Sequence, residues 1–459
     1  MKKALSFNII IGMILFFMPV VQAQEAASIL TFAQFSEKVL HYYPQLKAAH
    51  TDVQAALARQ MQARAGFWPS LDLSADYQES DDPVNVFGMK LRQERFASSD
   101  FEVDRLNTPR HHRDLAGGVH VELPLIDAMQ TIYRTRAARE QVKATEADED
   151  FTRMEALLTA QDAYLNALVL ERLATIVDEV QKSADEDLQK AKDLKDKGMI
   201  LGADYYAARV MFGDMTRMKN EIFRQKKAMM VLLNILMGEP MGTTWELVNI
   251  LQEKTVLSRE VESLVREAGV SRPDLKALDL RVKAADLELS REKASALPRL
   301  MAFGDATNNR RDIHDAGGSN FTVGVKARMS LFDPSRSGRV KEALALKERL
   351  AHDIQILKDT VARAIAGETA RYDAFRDNLP VLRAMSEDAK EAVSLTAPLY
   401  SEGRKSVADL MDARRAYLQT IEGYEKALMG AFLSQGRLLF LTGQLNEGVL
   451  SALGQEGGL

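Results

Sequence analysis

Two long stretches of the chain carry apolar residues at every third or fourth position. They cover residues 127–197 and 334–400. This spacing predicts the seam of long packed helices or of a coiled coil. The first stretch contains no proline and would form a helix about 105 Å long at 1.5 Å per residue. The second is interrupted by Pro380 and Pro398, where we expect breaks.

Between the long stretches the hydrophobic period changes to two. Leu71, Leu73 and Tyr77, for example, alternate with Asp72 and Ser74. Segments of roughly ten residues with this alternation are typical of strands in outer-membrane barrels, although a soluble hairpin with one face on a core has the same pattern. The predicted strands are about 69–78, 117–125, 298–307 and 321–331.

The chain is an internal duplication. Pro44 and Pro69 recur as Pro273 and Pro298 with the same number of residues between them. A second set of matched residues also keeps its internal spacing. It consists of Gly198, Asp204 and Arg209 in the first half and Gly403, Asp409 and Arg414 in the second. Each half therefore has the same predicted order: a helix, two strands, a very long helix, a glycine turn and a returning helix.

We predict a signal peptide over 1–23, a first repeat over 24–250, a second over 251–445 and a tail over 446–459. The basic Lys2 and Lys3, the apolar run after them and the small residues before Gln24 favour cleavage after Ala23, with an uncleaved anchor as the alternative. The remaining predicted elements are the helices 127–197, 204–237, 272–296, 334–400 and 407–441 and the short segment 238–250.

Composition excludes several classes of protein. The chain has no cysteine, a net charge of −5 and no basic stripe, which argues against disulfides, lipidation at cysteine and nucleic-acid binding. It has no phosphate-binding glycine loop and no catalytic motif, so we expect neither enzyme activity nor a cofactor. His111, His112 and His314 fall in strand connections, where a metal site is conceivable, but solvated side chains are the more ordinary interpretation.

Four strands cannot close a barrel, and lipid does not tolerate open sheet edges. The chain would therefore have to oligomerise to roughly eight strands or more. About eight strands leave an interior filled by side chains, whereas twelve leave a passage, so a conducting channel favours three chains.

The duplicated helices, the Pro-x-Leu strand entries at Pro69 and Pro298, and the Gly-x5-Asp turns at Gly198 and Gly403 resemble the TolC-like outer-membrane factor (outer membrane efflux protein) family. The resemblance implies an α+β membrane protein whose duplicated long helical hairpins form a trimeric tunnel through the periplasm. Each chain would add four strands to a twelve-stranded transmembrane β-barrel in the outer membrane of a Gram-negative cell. The segment 238–250 and the C-terminal tail would form a belt around the tunnel.

The most specific part of the resemblance, Tyr400 to Ala413, also implies functional residues. Asp409 and Asp412 would form acidic rings that gate the periplasmic entrance, and Asp204 would be linked to Tyr400 and Lys405. The family often has arginine where this chain has Lys405, and lysine lacks the bidentate fork of arginine.

Helix capping is the alternative role for Asp409, because Ser406-x-x-Asp409 has the spacing of a capping box. Asp204 lacks this explanation, since Leu201 occupies the capping position. Asp412 also has no acidic counterpart in the first half, where Ala207 matches it. Only the second turn therefore carries two acids, which suits a gate confined to one turn.

The resemblance further implies a homotrimer in outer-membrane lipid that docks with an inner-membrane RND-type or ABC-type transporter through a periplasmic adaptor. Such a channel would be the exit duct for efflux or type I secretion, and the sequence leaves its cargo open. A soluble periplasmic helical scaffold or adaptor is the alternative, although such a protein would need only one hairpin.

Overall fold

The computed structural model describes residues 28–251 and 260–449. The predicted signal peptide and residues 450–459 of the predicted tail lie outside the described residues.

The described residues form ten α-helices and six β-strands, arranged in two similar halves. The helices are α1 Phe32–Tyr42, α2 Pro44–Ala65, α3 Pro83–Arg92, α4 Val103–Asn107, α5 Gln130–Asp196, α6 Gly202–Met237, α7 Val261–Ser271, α8 Pro273–Ala294, α9 Pro334–Ser401 and α10 Val407–Leu441. The strands are β1 Ser28–Leu30, β2 Ser70–Ser80, β3 His112–Ile126, β4 Trp245–Leu247, β5 Arg299–Arg310 and β6 Gly318–Arg328.

The halves correspond in the length of their elements. α1 and α7 have 11 residues each, and α2 and α8 have 22 each. α2 and α8 both begin at a proline, the residue whose fixed φ and missing N–H suit the first position of a helix. The long helices have 67 and 68 residues, and the returning helices have 36 and 35.

Each long helix is about 100 Å long at 1.5 Å per residue, and two shorter helices pack along it. α2 and α6 pack along α5, while α8 and α10 pack along α9. α5 also contacts α8 and α10, so the two halves form one packed body. The core between them includes Leu157, Leu165 and Leu168 of α5, which are almost fully buried. None of the helices within 28–251 and 260–449 has the length and apolar content needed to cross a membrane.

α9 runs without interruption through Pro380 and Pro398, where the sequence predicts breaks. Proline removes one helical hydrogen bond and crowds the carbonyl one turn earlier. Both prolines are exposed, so this disruption falls on the outer side of the helix, away from the packed side. Packing along α10 outweighs the local preference to break.

The four longer strands form one antiparallel sheet in the order β2-β3-β5-β6. β3 starts at His112, ahead of the predicted start at 117, and a bulge lies between Pro124 and Ile126. Its glycines Gly117 and Gly118 therefore lie inside the strand. β2 and β6 are the sheet's edge strands, and the outer side of each has no strand partner within the described chain.

A second, small sheet was not predicted. β1 pairs in parallel with β4, which lies in the segment 238–250. The buried hydroxyl of Tyr164 on α5 donates to the main-chain oxygens of Leu30 and Val248, each at 2.9 Å. The sheet is thereby fixed to the middle of the long helix.

Candidate functional site

Both hairpins end in a helix–glycine–helix turn of the same backbone shape. Gly198 follows α5 with φ of +71°, and Gly403 follows α9 with φ of +72°. In each turn the amide after the glycine donates to a main-chain oxygen of the last helical turn at 2.8 Å. A Cβ on either glycine would meet no atom within 4 Å, so the left-handed conformation, not crowding, calls for glycine.

The second turn is capped by Ser406 and Asp409. The Asp409 carboxylate accepts from the Ser406 amide and hydroxyl, both at 3.0 Å, and the Ser406 hydroxyl accepts from the Asp409 amide at 3.1 Å. This is the capping box that the sequence offers as the alternative role for Asp409. The hydrogen bonds from the Ser406 amide and hydroxyl lower the pKa of Asp409, with Lys405 adding a smaller effect, so this exposed carboxylate stays charged at neutral pH.

Asp412 lies on the same face of α10, three residues further on, and is also exposed. Its carboxylate forms an ion pair with Arg415 at 2.6 Å. With side chains 57% and 41% exposed, the pair is screened by solvent and offsets the local negative charge only partly.

The first turn has no matching cap, since Leu201 makes no side-chain hydrogen bond to the start of α6. Asp204 is half-buried there. Within residues 28–251 and 260–449, no hydrogen bond or ion pair joins Asp204 to Tyr400 or Lys405. The link among these three residues stays a prediction.

The structure joins the second turn to the first half through a residue that the sequence did not single out, Asp187 of α5. The Arg414 guanidinium forms an ion pair with the Asp187 carboxylate at 2.6 Å, with side chains only 10% and 14% exposed. The Tyr400 hydroxyl donates to the main-chain oxygen of Asp187 at 3.4 Å. Burial, and secondarily the Asp187 charge, raise the pKa of Tyr400, which keeps it a neutral donor. Arg414 was visible in the repeat, but nothing marks Asp187 among the acids of α5.

At the opposite end of the long helices, Pro69 and Pro298 each stand directly before a strand, β2 and β5. The sheet that follows has one apolar face. In its register Leu73 lies opposite Val119, and Gly304 lies opposite Val323. Leu73 is 85% and Val323 73% exposed in the single chain. An exposed apolar face of this extent indicates a surface that contacts lipid or another protein.

The other face of the sheet is polar. His120 Nδ1 lies 2.5 Å from an Asp305 carboxylate oxygen, with Asp72 opposite His120 on the neighbouring strand. Lys326 forms an ion pair with Glu122 on the same face. Alternation between an apolar and a charged face is the arrangement of a strand between lipid and water.

The connection between β2 and β3, predicted as a loop, contains α3 and α4 and is fastened to the end of the sheet. The buried Asp114 carboxylate accepts from Gln93 at 2.8 Å and from Asn309 at 2.7 Å. His112 Nε2 lies 2.9 Å from the Gln93 side-chain oxygen. Among the described residues, no group of three or more His, Asp or Glu side chains is placed to hold a metal ion.

Comparisons with known proteins agree with this architecture. Residues 36–213 and 264–443 match the model of the outer membrane efflux protein family. No curated protein matches the chain.

Several solved structures have a similar fold. A membrane protein from Pseudomonas aeruginosa has a TM-score of 0.75 at 18% identity and covers 90% of this chain and 92% of its own. The Campylobacter jejuni CmeC outer membrane channel has a TM-score of 0.74 at 16% identity, with coverage of 93% and 90%. The outer membrane protein VceC from Vibrio cholerae has a TM-score of 0.72 at 17% identity, with coverage of 90% and 96%.

The identities are low, so these structures speak for the fold alone. The family match covers most of the chain and includes both halves of the duplication. Together with the paired long hairpins and the two-faced sheet, it shows that the chain belongs to the outer membrane efflux protein family, whose members are outer-membrane channels and not enzymes.

Proposed function

We propose that three copies of this chain form an exit duct, with a twelve-stranded barrel in the outer membrane and a helical tunnel in the periplasm. The observation that carries the proposal is the sheet at the end of the long hairpins. It has one exposed apolar face and two edge strands, β2 and β6, whose outer sides have no strand partner in the described chain. In lipid such edges must pair, and joining β6 of one copy to β2 of the next satisfies both.

The tip of the second hairpin would be the periplasmic gate. Asp409 and Asp412 are exposed on one face of the first turns of α10, so threefold repetition would bring six carboxylates around one opening. A ring of carboxylates attracts cations, and its mutual repulsion favours opening unless nearby cations offset it. Capping by Ser406 is compatible with this role, because it holds Asp409 in place and charged.

Adjacent copies would complete the predicted link of Asp204 with Tyr400 and Lys405, which holds the entrance closed. The duct would dock with an RND-type or ABC-type inner-membrane transporter through a periplasmic adaptor and serve efflux or type I secretion. Family membership and the length of the hairpins support this assembly. The signal peptide would be removed after Ala23, which mass spectrometry of the mature N-terminus tests.

The test is single-channel conductance of the purified mature protein in planar bilayers, beside an Asp409→Ala/Asp412→Ala variant. We expect small cation-selective steps that lose selectivity in the variant. Steps that the mutations leave unchanged would keep the channel and return both acids to helix capping. No conductance from verified, membrane-inserted trimers would overturn the channel, and a soluble monomer in periplasmic extract would favour the scaffold.

A further inference from the structure

Two arginines face each other at the helix-proximal end of the sheet. Arg299 of β5 and Arg328 of β6 are direct partners in the strand register. Both are exposed. Like charges directly opposite each other on neighbouring strands destabilise a sheet, so this arginine pair lowers the stability of the β5–β6 pairing.

Neither guanidinium forms a side-chain hydrogen bond or an ion pair in the part of the chain that the structure describes. Glu122 on the same face attracts Arg328 electrostatically, but it already forms an ion pair with Lys326. On β5, the Asp305 carboxylate lies 2.5 Å from His120 Nδ1. One Glu122 carboxylate cannot balance Lys326 and the two arginines, so this end of the sheet keeps an excess of positive charge.

Strand alternation places the pair on the polar face. Arg299 shares its face with Asp305, and Arg328 shares its face with Lys326. The neighbouring register pair, Leu300 and Ala327, belongs to the apolar face. In a closed barrel the arginines would thus lie in the lumen, where the strands meet the helical tunnel, and three copies would bring six guanidinium groups to one level.

We propose that Arg299 and Arg328 form a binding site for oxyanions, the carboxylate or phosphate groups of solutes that pass through the channel. The planar guanidinium fork matches these groups in geometry and charge. Rings of arginine favour anions in pores, and a lumen with low-dielectric walls strengthens the local field. The site rests on the proposed channel function and specifies it, because it makes anionic organic solutes part of the cargo.

The experiment measures block of single-channel current by citrate, added to one chamber, for the full-length mature trimer. For Arg299→Gln/Arg328→Gln we expect the half-blocking citrate concentration to rise about tenfold, the loss expected for a charge-assisted hydrogen bond. Arg299→Lys/Arg328→Lys should retain part of the block, since it keeps the charge without the fork. Arg105→Gln/Arg110→Gln is the matched control, since it removes the same charge from the β2–β3 connection, at the other end of the strands. Citrate should block this variant as it blocks the wild type.

Equal citrate block in the wild type and the Arg299→Gln/Arg328→Gln variant, both verified as trimers, would overturn the site while leaving the channel intact. Absence of any conductance would instead overturn the proposed function. Bilayers with and without phosphatidylglycerol separate the two sources of oxyanion. Block that is independent of lipid supports a soluble ligand, whereas block abolished by phosphatidylglycerol would assign the arginines to lipid headgroups and overturn the proposal.

Discussion

The turns at the ends of the two hairpins share one backbone but carry different side chains. Gly198 and Gly403 have nearly identical φ angles, and in both turns the next amide donates to a main-chain oxygen of the preceding helix. At the following helix start, Ser406 caps α10, whereas the exposed Leu201 leaves α6 without a side-chain cap.

The difference continues one turn further. Arg414 is buried against Asp187, while its counterpart Arg209 is exposed. Asp412 adds a second acid where the first half has Ala207. Backbone geometry is therefore the common requirement of the repeat, and the second acid, the cap and the buried ion pair, which the proposed gate uses, belong to the second turn.

The largest expected effect comes from the buried ion pair of Arg414 and Asp187. Arg414→Ala leaves the largely buried Asp187 carboxylate with only the more distant Lys190, at 3.7 Å, and should cost about 3 kcal/mol of stability, as for other broken buried pairs. Arg209→Ala, the matched change in the first half, should stay within about 0.5 kcal/mol. Chemical denaturation of the detergent-solubilised protein measures both, and equal losses would show that the two turns are anchored alike.

Alanine substitution should destabilise the protein equally at the two turn glycines. Gly198→Ala and Gly403→Ala each force a Cβ into a left-handed conformation and should cost about 1–2 kcal/mol. Neither site is crowded, so the cost is conformational alone. The same denaturation measurement applies, and a much larger loss at Gly403 would mean that the backbones, not only the side chains, have diverged.

Substitutions at the capping positions of α10 and α6 test the difference in helix capping. Ser406→Ala should destabilise the protein by about 1 kcal/mol, whereas Leu201→Ser should stabilise it by up to about 1 kcal/mol, because it places a capping hydroxyl three residues before Asp204. Leu201 is 70% exposed, so little packing is lost. A destabilised Leu201→Ser protein would show that Leu201 has a contact role in the assembly.

The smallest effect is a dependence on pH. The folded pKa of Asp409 is lowered, so its charged form contributes stability above the ordinary pKa, and this contribution is lost as the pH falls through the lowered value. Wild type should therefore lose stability more steeply than Asp409→Asn below about pH 4. Thermal unfolding of both proteins from about pH 3 to about pH 7 measures the difference. Parallel curves of stability against pH would contradict the prediction.

Elements with a hydrophobic period that repeats over many residues were predictable. Apolar residues at every third or fourth position of α5, and at alternate positions of β2 and β6, extend far enough to identify the element. Family membership and the absence of enzyme activity are confirmed by the family match.

Features that depend on distant contacts were not predictable. β1 and β4 have three residues each, too few for a period, and exist because they pair and because Tyr164 binds both segments. The continuity of α9 through Pro380 reflects packing that no local propensity contains. Asp187 is one acid among many on α5, and only the fold brings it to Arg414.

The open edges of the sheet decide what kind of polymer the chain can make. A contact between β6 of one copy and β2 of the next uses two different surfaces, so each addition leaves another free edge. Such head-to-tail contacts close into a ring only when the rotation per copy divides a full turn, and otherwise they grow into fibres. A slip of one residue would both turn the apolar face inward and change that rotation. In the proposed trimer, the register of the β6–β2 contact would therefore separate a finite pore from an unlimited aggregate.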